Sequence, residues 1–192
     1  KPDEIIIFNN NNLLTFNEHK MQQIRGKNIT TIFQEPMTSL NPLHTIEKQI
    51  NEIILLHSSL TYKEATNKTI NLLQQVGLKD IAKRINAYPH ELSGGQRQRI
   101  MIAMSIANKP DLLIADEPTT ALDVTIQLQI LKLLKSIQKN LNMSILFISH
   151  NLSVVQKIAD YICIMKEGNI VEQNTKENIF LSPQHEYTKV LI

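Results

Sequence analysis

Apolar positions fall into two rhythms along the chain. In residues 45–107 they recur at helical spacing. Ile46, Ile50, Ile53 and Ile54 stand at i, i+4, i+7 and i+8, one stripe of a helix. Thr61-x-x-Glu64 is a capping box that opens a second helix; Leu72, Leu73 and Val76 supply its inner face, and Gly77 stands where a C-terminal cap belongs. Ile100, Ala103, Met104 and Ala107 stripe a third helix, ended by Pro110, and Ile126, Ile130, Leu133, Leu134 and Ile137 stripe a fourth. The other rhythm is the short continuous run. Leu112-Leu113-Ile114-Ala115 and Met143–Ser149 read as strands buried on both faces. Strand, helix and strand within this length form a crossover that lays the two strands parallel. Upstream, Glu4–Phe8 is a β-rich run, Asn9–Asn12 a loop, Asn17–Arg25 a short helix with Met21 and Ile24 on one face, and Asn28–Gln34 a strand. Tyr161–Met165, Gly168 and Ile170–Glu172 predict a closing hairpin.

Two chemical devices sit on these elements. The run 112–115 ends abruptly in Asp116-Glu117-Pro118, and ligands of parallel sheets bind at the carboxyl ends of strands. Ser93-Gly94-Gly95-Gln96 opens the third helix, where unpaired N–H groups and the positive dipole end can hold an anion. Paired glycines remove the Cβ atoms that would keep a phosphate from that backbone. Read separately, the two could be a helix cap with a loose turn and a solvated acidic loop.

Composition narrows the picture. The 192 residues, 42% apolar and 20% charged, suit one globular domain. A net charge of +2 gives no argument for a nucleic-acid partner, and none is expected. The lone Cys163, inside Tyr161-Ile162-Cys163-Ile164-Met165, is expected to be a buried small hydrophobe; one cysteine makes no disulfide framework, which fits a reducing cytoplasm. No run approaches the length of a membrane span and no signal peptide is recognised, so a soluble chain is expected. His44, His57 and His90 lack metal-ligand spacing and read as surface or packed residues, and Arg97 and Arg99 as solvated.

The stretch Glu91–Asp123 resembles the ATPase domain of ABC (ATP-binding cassette) proteins. Leu92–Gln96 (L-S-G-G-Q) matches the family signature, Leu112–Glu117 (L-L-I-A-D-E) its Walker B strand, and Ala121–Asp123 (A-L-D) its D-loop. Phe33-Gln34-Glu35-Pro36 looks like the Q-loop, and His150, after the run Met143–Ser149, matches the switch histidine. The longer string F-Q-E-P-M-T-S-L-N-P resembles the di- and oligopeptide importers, a subfamily that includes nickel importers. Pro183–Thr188 (P-Q-H-E-Y-T) resembles their P-x-H-P-Y-T, with Glu186 in place of proline.

The resemblance implies an α/β fold: an incomplete P-loop NTPase (RecA-like) parallel-sheet core, residues 1–42 and 110–192, with an inserted α-helical subdomain at 43–109. It implies ATP and Mg²⁺ as cofactors. Two such domains would pair head to tail, each closing the other's nucleotide. Asp116 and Gln34 would hold Mg²⁺, Glu117 would polarise the attacking water and His150 would contact the γ-phosphate. Ser93, Gly94, Gly95 and Gln96 would serve the partner's nucleotide, and Asp123 would link the two sites. A second ATPase domain and transmembrane permease subunits are the implied partners, at the cytoplasmic face of the inner (plasma) membrane.

The sequence has no G-x-x-x-x-G-K-[ST] phosphate loop; its one Gly-Lys pair, Gly26-Lys27, has Met21 in the first glycine's place and reads as a turn. The chain is therefore expected to be a truncated domain that does not hydrolyse ATP alone. Loss of the phosphate-loop strand and helix is expected to leave an unpaired ladder edge and to expose Leu113 and Phe147. Two alternatives stay open: a soluble ABC ATPase outside transport, and a non-catalytic chain that supplies only a signature face.

Overall fold

The computed structural model describes residues 5–34, 39–120 and 122–192. The expectations placed on Glu4, on Glu35-Pro36-Met37-Thr38 and on Ala121 lie outside them. The chain begins with a two-residue hairpin, β1 (Ile7–Phe8) against β2 (Asn11–Asn12). Asn9 and Asn10 turn it at φ 46° and 62°, a left-handed region that Asn tolerates, so only these two of the expected 9–12 loop are non-strand. Helix α1 (Glu18–Ile24) follows, capped by the Asn17 side chain, which accepts from the Lys20 N–H at 3.0 Å. Gly26 at φ 76° makes the turn into β3 (Ile29–Ile32), its N–H donating to the Ile29 carbonyl, as expected of the Gly-Lys pair.

Three helices form the next block: α2 (Ile46–Leu56), α3 (Tyr62–Gln75) and, past the single turn α4 (Lys79–Ala82), α5 (Gly94–Ser105). The capping box at Thr61 is present in both directions, and Gly77 adopts φ 80° just beyond α3. Ile46, Ile50, Ile54, Leu73 and Ile100 are fully buried where α2, α3 and α5 meet. Helix α5 hides more than one stripe, for Gln98, Met101 and Ile102 are buried beside Ile100 and Ala103. It packs on α2 and α3 and also on β3, so it has more than one side to bury.

Strands β3, β4 (Leu112–Asp116) and β5 (Ser144–Ile148) lie side by side in that order, β3 and β4 parallel. Thr30 pairs with Leu113 and Ile32 with Ala115, and this face is buried; Leu112 and Ile114 on the other are only half-buried. Double burial of β4 is thus corrected to one-sided burial, while Leu113, expected to be exposed, is fully buried. The expected buried strand at 143–149 is also corrected. Leu146 and Ile148, on one face, are 51% and 44% exposed, while Ile145 and Phe147 on the other are half-buried; β4 is the only strand beside β5 among the described residues. Helix α6 (Val124–Leu141) buries Ile130, Leu131, Leu134 and Ile137 and stops at Asn142, φ 51°.

The chain divides into two compact units, Lys1–Leu146 and Phe147–Ile192. The second holds α7 (Leu152–Ile158), the hairpin β6 (Tyr161–Lys166) and β7 (Asn169–Thr175), α8 (Lys176–Leu181) and α9 (Glu186–Leu191). Glu167 and Gly168, both at positive φ, make the two-residue turn of the hairpin. Ile162, Ile164 and Ile179 form its core. Side chains alternate along a strand, so with Ile162 and Ile164 inward Cys163 faces out, and it is exposed rather than buried.

The P-Q-H-E-Y-T segment is held to this hairpin by Glu172. The Thr188 hydroxyl lies beside its carboxylate without reaching strict hydrogen-bond geometry, and the Gln184 and His185 N–H groups donate to it at 2.9 Å. Thr188 foremost, then these two N–H groups, hold the carboxyl below its ordinary value of 4.5. A carboxyl depressed by folding contributes stability above its unfolded pKa and loses it as pH falls through the folded one. Glu172→Gln should therefore lower the melting temperature at neutral pH. The gap from wild type should close as pH drops below 4.5, followed by circular dichroism.

Candidate functional site

The carboxyl end of β4 carries the acids. Asp116 is its last residue and half-buried, and Glu117 follows at φ 44°. A left-handed glutamate costs local strain, of a kind that gathers at functional sites. The bend is tied by Thr120, whose N–H donates to the Glu117 carbonyl at 3.3 Å. The carboxylate is gripped as well. Gln34, two residues beyond β3, donates from Nε2 to Glu117 Oε2 at 2.7 Å, and the Thr120 hydroxyl donates to the same oxygen at 3.1 Å. Adjacent parallel strands deliver Gln34 and Glu117 together although 83 positions separate them.

This donor set suits a hard cation that arrives with phosphates. Mg²⁺ is held by one or two carboxylates plus substrate oxygens and water, and Asp116 with the Gln34 amide oxygen can supply that share. No group of three His, Cys, Asp or Glu side chains suited to a metal occurs among the described residues, so a dedicated all-protein cage is not what they build. Two of the histidines find other partners: His44 Nε2 lies 3.0 Å from Lys48 Nζ, and His90 stacks on Tyr88.

The second device is the N-terminus of α5. Ser93 is its cap: the hydroxyl accepts from the Gln96 N–H at 3.3 Å, while Gln96 Oε1 accepts from the Ser93 N–H at 2.9 Å. Gln96, expected to serve an anion, thus has its side chain turned back onto the cap. The first-turn donors outside this box belong to Gly94, which is exposed, and Gly95, which is half-buried. The two glycines differ in a second way. A Cβ on Gly94 would be an ordinary 3.9 Å from Leu122 Cδ2, whereas one on Gly95 would be 3.1 Å from Ile126 Cγ2. Close packing of α5 on α6 therefore favours a small residue at 95 independently of any phosphate. Gly95→Ala should change stability by less than about 1 kcal/mol, because helix propensity gained offsets the crowding. In an Ile126→Ala background the same change should stabilise by about 1 kcal/mol. Urea unfolding of the four-member cycle measures both.

Asp123 caps α6, its Oδ1 accepting from the Ile126 N–H at 2.9 Å. His150 is exposed and lies in the second unit, just past β5 and before Asn151, the cap of α7. The two arginines are half-buried rather than solvated: Arg97 Nε donates to the Pro89 carbonyl at 2.8 Å, and Arg99 Nη1 to the Val76 carbonyl at 2.7 Å. Sequence reasoning also missed Thr119, Thr120 and Gln127, which line the turn after Glu117; polar residues just past a strand end were the available signal.

Comparison with known proteins gives the family and the fold. The chain is 57% identical over 191 residues to the peptidoglycan transport ATP-binding protein YejF of Agrobacterium fabrum, covering 100% of the chain and 35% of that relative. It is 50% identical over 183 residues to the oligopeptide transport ATP-binding protein OppD of Bacillus subtilis, covering 95% of the chain and 51% of OppD. With the dipeptide transport ATP-binding protein DppD of the same organism it shares 47% over 190 residues, 99% of the chain and 57% of DppD. The chain thus spans from about a third to just over half of these relatives' lengths. Among solved structures, the ATP-binding cassette MJ0796 in a dimeric post-hydrolysis state with ADP and Pi superposes with a TM-score of 0.76 at 25% identity, over 88% of this chain and 72% of that one. CbiO1 of Clostridium perfringens, part of the ABC transporter complex cbiONQ, superposes at 0.78 and 26% identity, over 92% and 67%. The ABC transporter family profile matches residues 2–120, and with the parallel strands, the acidic strand end and the glycine-opened helix in place, the chain belongs to the ABC transporter family and has the P-loop NTPase α/β fold of its ATPase cassettes.

Proposed function

We propose that this chain is part of the ATP-hydrolysing subunit that energises import of peptides or similar small solutes. The observation that carries the reading is the Gln34–Glu117 pair, a carboxylate oriented at 2.7 Å beside the half-buried Asp116 at a strand end. Glu117 polarises the attacking water and draws its proton. Asp116 and Gln34 hold Mg²⁺, which supplies charge neutralisation at the phosphates when bound. His150 contacts the γ-phosphate. Ser93, with the Gly94 and Gly95 N–H groups, serves the nucleotide of a second ATPase domain paired head to tail, with Gln96 bracing the cap. Asp123 links the two sites. Residues 43–109 act as the helical signature subdomain, and 1–42 with 110–192 as the ATPase core.

Relatives named for oligopeptide and dipeptide transport support the solute class. An apolar cavity of about 580 Å³ supports docking to permease subunits at the membrane's cytoplasmic face. It lies beside the Gln34 strand and is lined by Phe33, Ile53, Leu56, Met101 and Met104, with Phe33 and Leu56 61% and 77% exposed. No described helix is long and apolar enough to cross a membrane.

The 192 residues contain no phosphate-loop motif, so residues 1–192 alone should show no Mg·ATP turnover. A chimera in which the chain replaces the matching segment of the Agrobacterium relative should turn over ATP. Built instead on the oligopeptide transport relative of Bacillus subtilis, the chimera should also restore oligopeptide uptake to cells lacking that relative. Micromolar ATP binding by the isolated chain would contradict this, as another segment would then cradle the phosphates. A hydrolysing chimera without uptake would remove the peptide assignment.

A further inference from the structure

The catalytic turn and the signature are joined inside one subunit by the first two turns of α6. Gln127 Nε2 donates to the Thr119 hydroxyl at 3.1 Å; Thr119 is buried and stands two residues beyond Glu117. One residue earlier, Ile126 packs against Gly95 so closely that a Cβ there would come within 3.1 Å of its Cγ2. Farther along, Gln129 Oε1 accepts from Arg99 Nη2 at 3.1 Å, fixing the next turn of the signature helix. The same short stretch of helix thus touches the turn that holds the catalytic carboxylate and the helix start that holds the partner's phosphate. It starts at Asp123, whose carboxylate is spent on the cap.

We propose that Gln127 and Ile126 are positioning residues that make the start of α6 a rigid strut between a subunit's own catalytic turn and its own signature. The proposal rests on the trans reading of the signature above. Under that reading the two ends of one strut belong to different nucleotide sites of the pair. A displacement of the turn after Glu117, on gain or loss of a phosphate, then moves the signature that closes the other site. The partly buried Gln127–Thr119 bond is the link that a point substitution can cut without touching any group that meets nucleotide.

The test is a single-chain tandem of two chimeric halves of the kind described above, with Glu117→Gln in the first half. Only the second half's Glu117 then turns over, and it uses the first half's signature. Three further changes go into the first half, one at a time. Gly94→Asp is the control and should abolish the remaining turnover. Gln127→Met and Thr119→Val should each lower its kcat between about tenfold and a hundredfold, with KM for ATP within about twofold, the scale expected of a misplaced group. Thr119→Ser, which keeps the hydroxyl, should stay at the level of the parent tandem, and thermal melts check that all variants fold. If Gly94→Asp abolishes turnover while Gln127→Met and Thr119→Val leave it unchanged, the strut is wrong and the trans signature stands. Should Thr119→Ser fall as far as Thr119→Val, shape rather than the hydrogen bond is at issue and the strut is likewise overturned. If Gly94→Asp has no effect, the trans reading fails and takes the strut with it.

Discussion

Replacing Glu117 with glutamine in the chimera should abolish turnover and keep ATP. The amide preserves the shape of the side chain, so Gln34 and Thr120 still have an oxygen to donate to. What would be lost, on the proposed reading, is the group that takes the water's proton. Removal of a general base typically costs about 10²–10⁴-fold in rate. Nucleotide affinity should stay within about threefold, since the phosphates are bound by other groups. ATP-trapped pairs should accumulate, because the step that separates them no longer occurs. Asp116→Asn should behave differently, weakening the Mg²⁺-dependent part of ATP binding, because a neutral amide is a poorer ligand for a hard cation. Steady-state turnover and nucleotide titration with and without Mg²⁺ separate the two. Turnover by Glu117→Gln within about threefold of the parent would take the base role from Glu117.

The second large effect belongs to the signature. Gly94→Asp puts a carboxylate at the first position of α5, where a Cβ has room and an acid suits the helix dipole. The fold should therefore tolerate it, and thermal stability should hold. The partner's γ-phosphate, however, would meet a like charge where two N–H groups had faced it. At about 4 Å such a repulsion is worth about 4 kcal/mol at the effective dielectric of a protein surface, so ATP-driven pairing should weaken by about a hundredfold or more. Binding of ATP to the substituted subunit itself should be unchanged. Gly95 is the poorer site for this experiment, since any side chain there also pushes on Ile126. Sedimentation of the Glu117→Gln chimera with ATP, with and without Gly94→Asp, measures the loss.

Much of this was legible from local pattern. The capping boxes at Thr61 and Ser93, the left-handed Gly77 and the strand ending at Asp116 all depend on residues within a few positions of one another. Features set by distant partners were not. No periodicity indicates that Gln34 meets Glu117, or that Gly95 lies against Ile126. Continuous apolar runs were also ambiguous about faces. In Tyr161–Met165 every residue is apolar, so alternation could not say that Cys163 points outward. The run 143–149 likewise carries no mark of which face it buries, and Leu146 and Ile148 lie on the exposed one. Gln96 shows another limit: the signature resemblance implies a role at phosphate, while Ser-x-x-Gln is also the spacing of a capping box, and its side chain lies on the cap here.

Complementation between the two dead variants tests the central claim most directly. Chimeras carrying Glu117→Gln and Gly94→Asp are each expected to be inactive alone. In a head-to-tail mixed pair, one site combines both lesions, while the other combines an intact Glu117 with an intact signature. Mixing the two variants should therefore restore ATP turnover, to about half of the parent's rate per mixed pair if the sites act independently. Mixed pairs that form and bind ATP yet stay inactive would contradict the account, because Glu117 and the signature would then not serve opposite nucleotides.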